Sequence, residues 1–263
     1  MLHVFLLIMS QQEHICKNCG HSFTGNHCNN CGQKIAHRLD TKHIVHEAVH
    51  VFTHADKGIF ALIPMVVFRP GTLALQYVQG KRKSYFNIFQ YLILVVGIIT
   101  FIMSKTHYME NVMQTFNPDS AKGSARVLAV QGRLMSFIQH YFNIFLFSFL
   151  PVFSFFSWLF FRSKGYNYAE NFVLQASIQA QLNTFSLFII PLSMLLGKDF
   201  RGVVIAFSFL LLLFANMMAN RQFFKVPLLK GFFKGLLVYI CTSIVQVIAI
   251  FVVIIILIQQ YKK

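Results

Sequence analysis

The sequence predicts an all-α integral membrane protein with about five transmembrane helices, a small N-terminal zinc ribbon or knuckle, and amphipathic helices at the membrane interface. Of its 263 residues, 56% are hydrophobic and only 12% are charged, which is too little charge to cover a surface in water. Apolar segments of transmembrane length recur after residue 87, and two Cys-x-x-Cys pairs precede them. Lipid is therefore the expected solvent for most of the chain.

The zinc knuckle is predicted from four cysteines in two pairs, each pair followed by a glycine. These are Cys16, Cys19, Cys28 and Cys31. Two thiolates on one tight turn can bind the same ion, and two such turns complete the tetrahedral set that structural zinc prefers. Glycine supplies the unusual backbone angles of each turn. A segment this small has no core of its own, so we assign residues 1–36, with a core at 13–36, to a zinc-stabilised knuckle.

Residues 37–86 are predicted to form helices at the membrane surface. Residues 40–55 have the period of an amphipathic helix, and residues 59–68 are apolar but too short to span, which indicates an interfacial or re-entrant helix. Residues 72–79 are expected to form another short helix. A basic elbow, residues 80–84, follows it. The residues expected to contact anionic headgroups are Arg69, Lys81, Arg82 and Lys83.

Residues 87–263 are predicted to form the transmembrane bundle. The predicted spans are residues 88–103, 142–161, 172–196, 203–219 and 236–258. The stretch between the first two spans is expected to be a polar loop over residues 104–133. Because the basic elbow directly precedes the first span, we expect the N-terminus and the knuckle to be cytoplasmic.

A second candidate site lies in the predicted helix over residues 40–55. His46-Glu47-Ala48-Val49-His50 matches the H-E-x-x-H pattern, in which both histidines bind one metal ion and the glutamate polarises a water molecule. His54 continues the line as a third ligand. The same residues also form the polar face of an amphipathic helix, and a row of histidines can instead sense pH beside anionic lipid. The pattern leaves these interpretations open, with Glu47 the candidate catalytic residue.

Polar side chains also recur at helical spacing in the third predicted span. Gln175, Gln179 and Asn183 lie on one face, which should point into the bundle. Such a row either forms hydrogen bonds between helices or lines a path for a small neutral solute. Acidic and basic residues are missing from the centres of the predicted spans, which disfavours a transporter built on buried charges.

The net charge of +15 is spread over short segments between the apolar runs. A nucleic-acid interface would need a concentrated basic stripe on a soluble module, so we expect no nucleic acid partner. An anionic bilayer surface fits this distribution better. The knuckle is a candidate binding site for a protein partner.

The order of motifs over residues 16–90 resembles a family of uncharacterised multi-pass membrane proteins common in Bacteroidota, classed as a domain of unknown function. The matching residues are the cysteine pairs ending in Cys31-Gly32-Gln33-Lys34, Arg38, His46–His54, Asp56-Lys57-Gly58, Pro70-Gly71 and Gly80-Lys81-Arg82. The resemblance implies a bacterial inner-membrane protein with a cytoplasmic zinc knuckle, and it implies no activity.

Together these observations predict a non-enzymatic scaffold or docking protein of the membrane. Two alternatives remain at this stage: a membrane metalloprotein or hydrolase using the His46–His54 helix, and a channel or carrier for a small neutral solute using the polar face of the third span.

Overall fold

The protein is described by a computed structural model that covers residues 13–41, 58–84, 86–116, 132 and 142–260. The described chain is mostly helical, with one small sheet. Its strands are β1 (Glu13–Ile15) and β2 (Ser22–Thr24), and its α-helices are α1 (Ile59–Phe68), α2 (Pro70–Val78), α3 (Ile88–Thr106), α4 (Tyr108–Phe116), α5 (Phe142–Phe161), α6 (Tyr168–Leu195), α7 (Gly197–Phe224) and α8 (Leu228–Gln260). The predicted all-α membrane fold is confirmed.

Four helices in the described part of the chain, α3, α6, α7 and α8, are long and apolar enough to cross a membrane. The helix α5 is continuous over the whole predicted span of residues 142–161. Several observed helices begin before the predicted spans, because they include polar residues at their N-terminal ends. In α6, for example, Asn167 and Glu170 form a reciprocal capping box, and the helix therefore starts four residues before the predicted apolar segment.

The predicted loop over residues 104–133 contains a helix, α4, which the apolar pattern did not indicate. The chain turns at His107, whose left-handed backbone (φ 48°) ends α3. The side chain of Asn111 then donates to the carbonyl oxygens of Thr106 and His107, both at 3.1 Å. Arg201 of α7 donates to the carbonyl of Asn111 at 2.8 Å. These hydrogen bonds hold the segment in place, together with Tyr108 and Met109, which pack against the core of the bundle.

The short helices α1 and α2 meet at a bend of 119°, so the chain turns back instead of continuing in one direction. The sequence predicted α1 with its observed bounds, and α2 begins two residues earlier than expected because Pro70 occupies its first turn. The bend packs against α6 and α7. The hydroxyl of Ser177, which donates to the carbonyl of Pro70 at 2.7 Å, is about 14 Å along α6 from its first residue. The bend therefore lies deep within the bundle.

Side chains from α6 and α7 provide partners for the backbone groups released at this bend. The amide of Gln222 accepts hydrogen bonds from the backbone N–H groups of Gly71 (3.0 Å) and Thr72 (3.3 Å), and it donates to the carbonyl of Phe68 at 3.3 Å. Gln181 donates to the carbonyl of Val67 at 2.7 Å. Unpaired backbone groups are costly away from water, so these amides make the bend possible.

The loops on one side of the bundle come together at what we call the knuckle end, formed by residues 80–84, 162–170 and 221–234. The rings of Phe161 and Phe224 stack at 4.0 Å, and Tyr166 contacts Phe223 at 4.6 Å. These contacts join the α5–α6 turn to the end of α7. The four-cysteine segment docks on the same end, as described below.

We predict that Gly71→Ala destabilises the protein, because a Cβ at this position would overlap the backbone carbonyl of Ala219 in α7. The cost should be about 1–3 kcal/mol, the usual range for overpacking. Thermal unfolding in detergent measures it. Gly97→Ala in α3 is the matched control, since a Cβ there meets nothing within 4 Å. Equal melting temperatures for the two variants would contradict the close packing of α2 on α7.

Candidate metal centre

The four cysteines predicted to bind metal converge in the structure. Their sulfur atoms all lie within 4.8 Å of one another, with Cys16 and Cys31 at 3.6 Å and Cys19 and Cys28 also at 3.6 Å. Four sulfurs around a tetrahedral ion, each about 2.3 Å from it, would be about 3.8 Å apart. The cluster therefore has the donor type, number and spacing to hold one metal ion, and four thiolates would fill a tetrahedral coordination shell.

Two turns with the same backbone hydrogen bonds supply these sulfurs. The N–H of Cys16 donates to the carbonyl of His21 at 2.9 Å, and the N–H of Cys28 donates to the carbonyl of Gln33 at 2.8 Å. The N–H groups of Gly20 and Gly32 donate to the backbone carbonyls of Cys16 and Cys28, at 2.8 and 2.7 Å. Both glycines have the positive φ that the sequence indicated, 76° for Gly20 and 69° for Gly32.

The environment of the cysteines also favours metal binding. Cys16 and Cys28 are buried beside Phe23, whereas Cys19 is exposed. Hydrogen bonds lower the pKa of Cys19 to about 6; the largest effect comes from the backbone of His21, smaller ones come from Cys28 and Cys31, and burial acts in the opposite direction. Cys19 is therefore a thiolate near neutral pH, and the thiolate is the form that binds metal.

The second turn docks directly on the basic elbow through Gln33. The buried side chain of Gln33 donates to the carbonyl of Gly80 at 2.8 Å and accepts from the backbone N–H groups of Arg82 (3.1 Å) and Lys83 (3.2 Å). Asn18 in the first turn accepts from the hydroxyl of Ser84 at 2.7 Å. Both cysteine turns therefore contact the segment that links α2 to the first span.

Basic side chains of the elbow also contact the knuckle. Arg82 donates to the carbonyl of His37 at 3.0 Å and lies over the ring of Tyr77, and Lys83 donates to the carbonyl of Gly32 at 3.4 Å. Arg69 lies apart from them, at the α1–α2 bend. The contacts of Arg69, Lys81, Arg82 and Lys83 with anionic headgroups stay a prediction. The side chains of Arg82 and Lys83 form hydrogen bonds within the protein.

A second connection joins the knuckle segment to the start of α6. The guanidinium of Arg38 forms two hydrogen bonds to the carboxylate of Glu170, at 2.9 and 3.0 Å, and donates to the carbonyl of Gly165 at 2.9 Å. Glu170 is only 4% exposed, so loss of Arg38 would leave a buried carboxylate without its charged partner. Asn167 donates to the carbonyl of Leu39 at 2.8 Å. The knuckle is thus attached to the bundle at two places.

The other two candidate sites are the row of histidines at residues 46–54 and the polar row on α6. His46, Glu47, His50 and His54 lie outside the described residues, so metal binding and hydrolysis there stay predictions. Gln175 and Asn183 are buried in the bundle, as expected for an inward-facing row, and Gln179 is half-buried. The amide of Asn183 donates to the backbone carbonyl of Gln179 at 2.7 Å. A pathway along this face stays a prediction.

Sequence reasoning missed the residues that attach the knuckle and support the bend. These are Gln33, Arg38, Glu170, Gln181 and Gln222. The family resemblance included Gln33 and Arg38 without a role for either. For Glu170 the available signal was its place three residues after Asn167, which is the spacing of a capping box.

These features define an all-α multi-pass membrane protein with a four-cysteine cluster that can bind a metal ion. Residues 56–100 match the model of a family described as a protein of unknown function (DUF3667), and this range includes α1, α2, the basic elbow and the first part of α3. The match covers less than half of the chain and does not include the cysteines. Searches of curated proteins and of solved structures found no match.

We predict that Gln33→Ala loosens the knuckle from the basic elbow without removing its metal. The variant leaves buried backbone groups of Gly80 and Arg82 without their partner, at a cost of about 1–3 kcal/mol. Hydrogen exchange of residues 80–84 should accelerate while the metal content stays the same. Lys34→Ala, at the exposed neighbouring position, is the control and should change neither. Unchanged exchange in Gln33→Ala would refute this docking contact.

Proposed function

We propose that the protein is a non-enzymatic scaffold of the bacterial inner membrane, with a structural zinc knuckle on its cytoplasmic side. The observation that carries the proposal is the docking of both cysteine turns on the basic elbow. A four-thiolate site leaves no open coordination position for a substrate. The site instead fixes the shape of a segment that holds the start of the first span, which is a structural role.

Zinc is the metal that this donor set fits best. Four thiolates at tetrahedral spacing are the typical ligands of structural zinc, and iron is the main competitor for such a set. Metal binding would also supply the stability that the segment lacks, since its buried cluster contains little beyond the cysteines, Phe23 and Ile35.

The cytoplasmic orientation is supported by the distribution of charge. The knuckle end, as defined above, contains Lys81, Arg82, Arg162, Lys164 and Arg221, together with the lysines at the start of α8. Short cytoplasmic loops are rich in lysine and arginine, and anionic lipid of the inner leaflet would neutralise them. This end of the bundle is therefore the proposed cytoplasmic side and the proposed contact with anionic headgroups.

A protein partner would bind the side of the knuckle that faces away from the bundle. Ile15 on β1 is 76% exposed, which is unusual for an isoleucine, and it lies on a sheet that has two strands in the described part of the chain. An exposed apolar residue on such a small sheet is a typical contact for another chain. The elbow side of the knuckle is occupied by the docking contacts.

The metal proposal predicts one zinc ion per chain, lost completely in Cys16→Ser/Cys28→Ser. Elemental analysis of the purified protein measures it, with Cys241→Ser as the control because this cysteine lies in α8, outside the cluster. Iron in place of zinc would refute the metal assignment. Zinc that survives the double substitution would place a metal site elsewhere, with His46, His50 and His54 the next candidates.

The partner proposal predicts that a photo-crosslinking residue at position 15 captures a protein in intact cells. A crosslinker at exposed Lys34 should capture it less efficiently or not at all. Ile15→Asp should weaken the interaction while the zinc content stays at one ion per chain, since the side chain is outside the cluster. The absence of any adduct at position 15, or the same adducts at both positions, would argue against a docking role.

A further inference from the structure

A cluster of three lysines lies at the knuckle end, where α5 ends and α8 begins. Lys234 of α8 donates from its ammonium group to the backbone carbonyl of Phe160, and it lies 5.2 Å above the ring of Phe161. Lys230 is one helical turn earlier on α8, and Lys164 is in the turn that follows Phe161. The positive charges of Lys230 and Lys164 both act on Lys234. We call Lys164, Lys230 and Lys234 the lysine cluster.

The lysine cluster has no carboxylate partner in the described part of the chain. The ion pairs found there join Arg38 to Glu170 and His107 to Glu110, and neither involves the three lysines. Like charges held close together repel each other, and the repulsion is strong where water is partly excluded. Lys234 is half-buried, whereas Lys164 and Lys230 are exposed and can reach an incoming group. The electrostatic arrangement therefore favours an anion.

The surroundings of the cluster resemble a membrane interface. The guanidinium of Arg162 lies 5.5 Å from the ring of Trp158, and tryptophan with arginine at the end of a span is typical of headgroup level. On α8, Leu229 is 69% exposed and Phe233 is 59% exposed, next to the lysines. A ligand at this place would meet positive charge at one end and apolar surface at the other.

We propose that the lysine cluster binds the phosphate of an anionic phospholipid, with the acyl chains lying along the exposed apolar side of α8. Basic pockets between transmembrane helices are known to select anionic headgroups. The inference rests on the proposed function in one respect, that this end of the bundle faces anionic lipid. It adds a defined site, separate from the knuckle and from the basic elbow, to that general contact.

The test uses the full-length protein in detergent, titrated with phosphatidylglycerol or phosphatidylcholine and followed by native mass spectrometry. The wild type should retain phosphatidylglycerol preferentially. Lys164→Gln/Lys230→Gln should reduce its apparent affinity for that lipid about tenfold or more, since each lysine near an anionic surface adds to binding. Lys164→Arg/Lys230→Arg should restore it. Both positions are exposed, so these variants are expected to fold.

The control is Lys34→Gln/Lys225→Gln, which removes the same charge from other exposed positions. If both double variants lose affinity equally, diffuse surface charge explains the binding and the site is wrong. If the wild type does not prefer phosphatidylglycerol to phosphatidylcholine, the proposed lipid contact of the whole knuckle end also fails. If millimolar inorganic phosphate displaces the lipid, the cluster recognises free phosphate and the assignment to a phospholipid is overturned.

Discussion

The break between α1 and α2 leaves backbone N–H and C=O groups without helical partners at a depth where lipid offers none. Gln222 meets this requirement from α7, and Gln181 and Ser177 meet it from α6. Each of these bonds fixes the bend against a spanning helix. The close approach of Gly71 to the backbone of α7 adds a steric constraint to the polar one. The central packing of the bundle therefore depends on hydrogen-bond partners for the backbone groups at the bend between α1 and α2.

The knuckle contacts the segment that directly follows α2. The helix α2 runs from the bend to the basic elbow, and Gln33 holds the backbone of that elbow at three points. A metal ion held by the four cysteines would stabilise a segment with so small a core, and the contacts of Gln33 would link that ion to the elbow and α2. The Arg38–Glu170 pair joins the same segment to the first turn of α6. A change in the knuckle would reach α6 by both routes, which is the physical basis of the proposed scaffold role.

The parts of this structure that could be predicted from the sequence are those determined locally. Paired cysteines with a following glycine predict a metal-binding turn from a few adjacent residues, and the run from 59 to 68 predicts α1 by its composition and length. The helix α4 was missed because it is short and lies in a polar stretch, and because Arg201, which bonds its backbone, is distant in sequence. Gln33 and Gln222 were missed for a related reason. Their partners are distant in sequence, and a glutamine carries no local pattern that indicates what it will bind.

The bend also affects how the polar face of α6 is interpreted. In transporters with broken helices, the released backbone groups bind the substrate or the coupled ion. Here, the backbone carbonyl oxygens of Val67, Phe68 and Pro70 already accept hydrogen bonds from side chains of α6 and α7. The gap between α7 and α8 beside Asn216 and Tyr239 has no room for a water molecule, and the polar row of α6 does not line it. A solute entering the bundle at the bend would have to displace these hydrogen bonds, so Ser177 and Gln181 are better explained as structural partners of the bend. At the helical period they lie on the face of α6 opposite Gln175, Gln179 and Asn183, so the bonds at the bend do not account for that row.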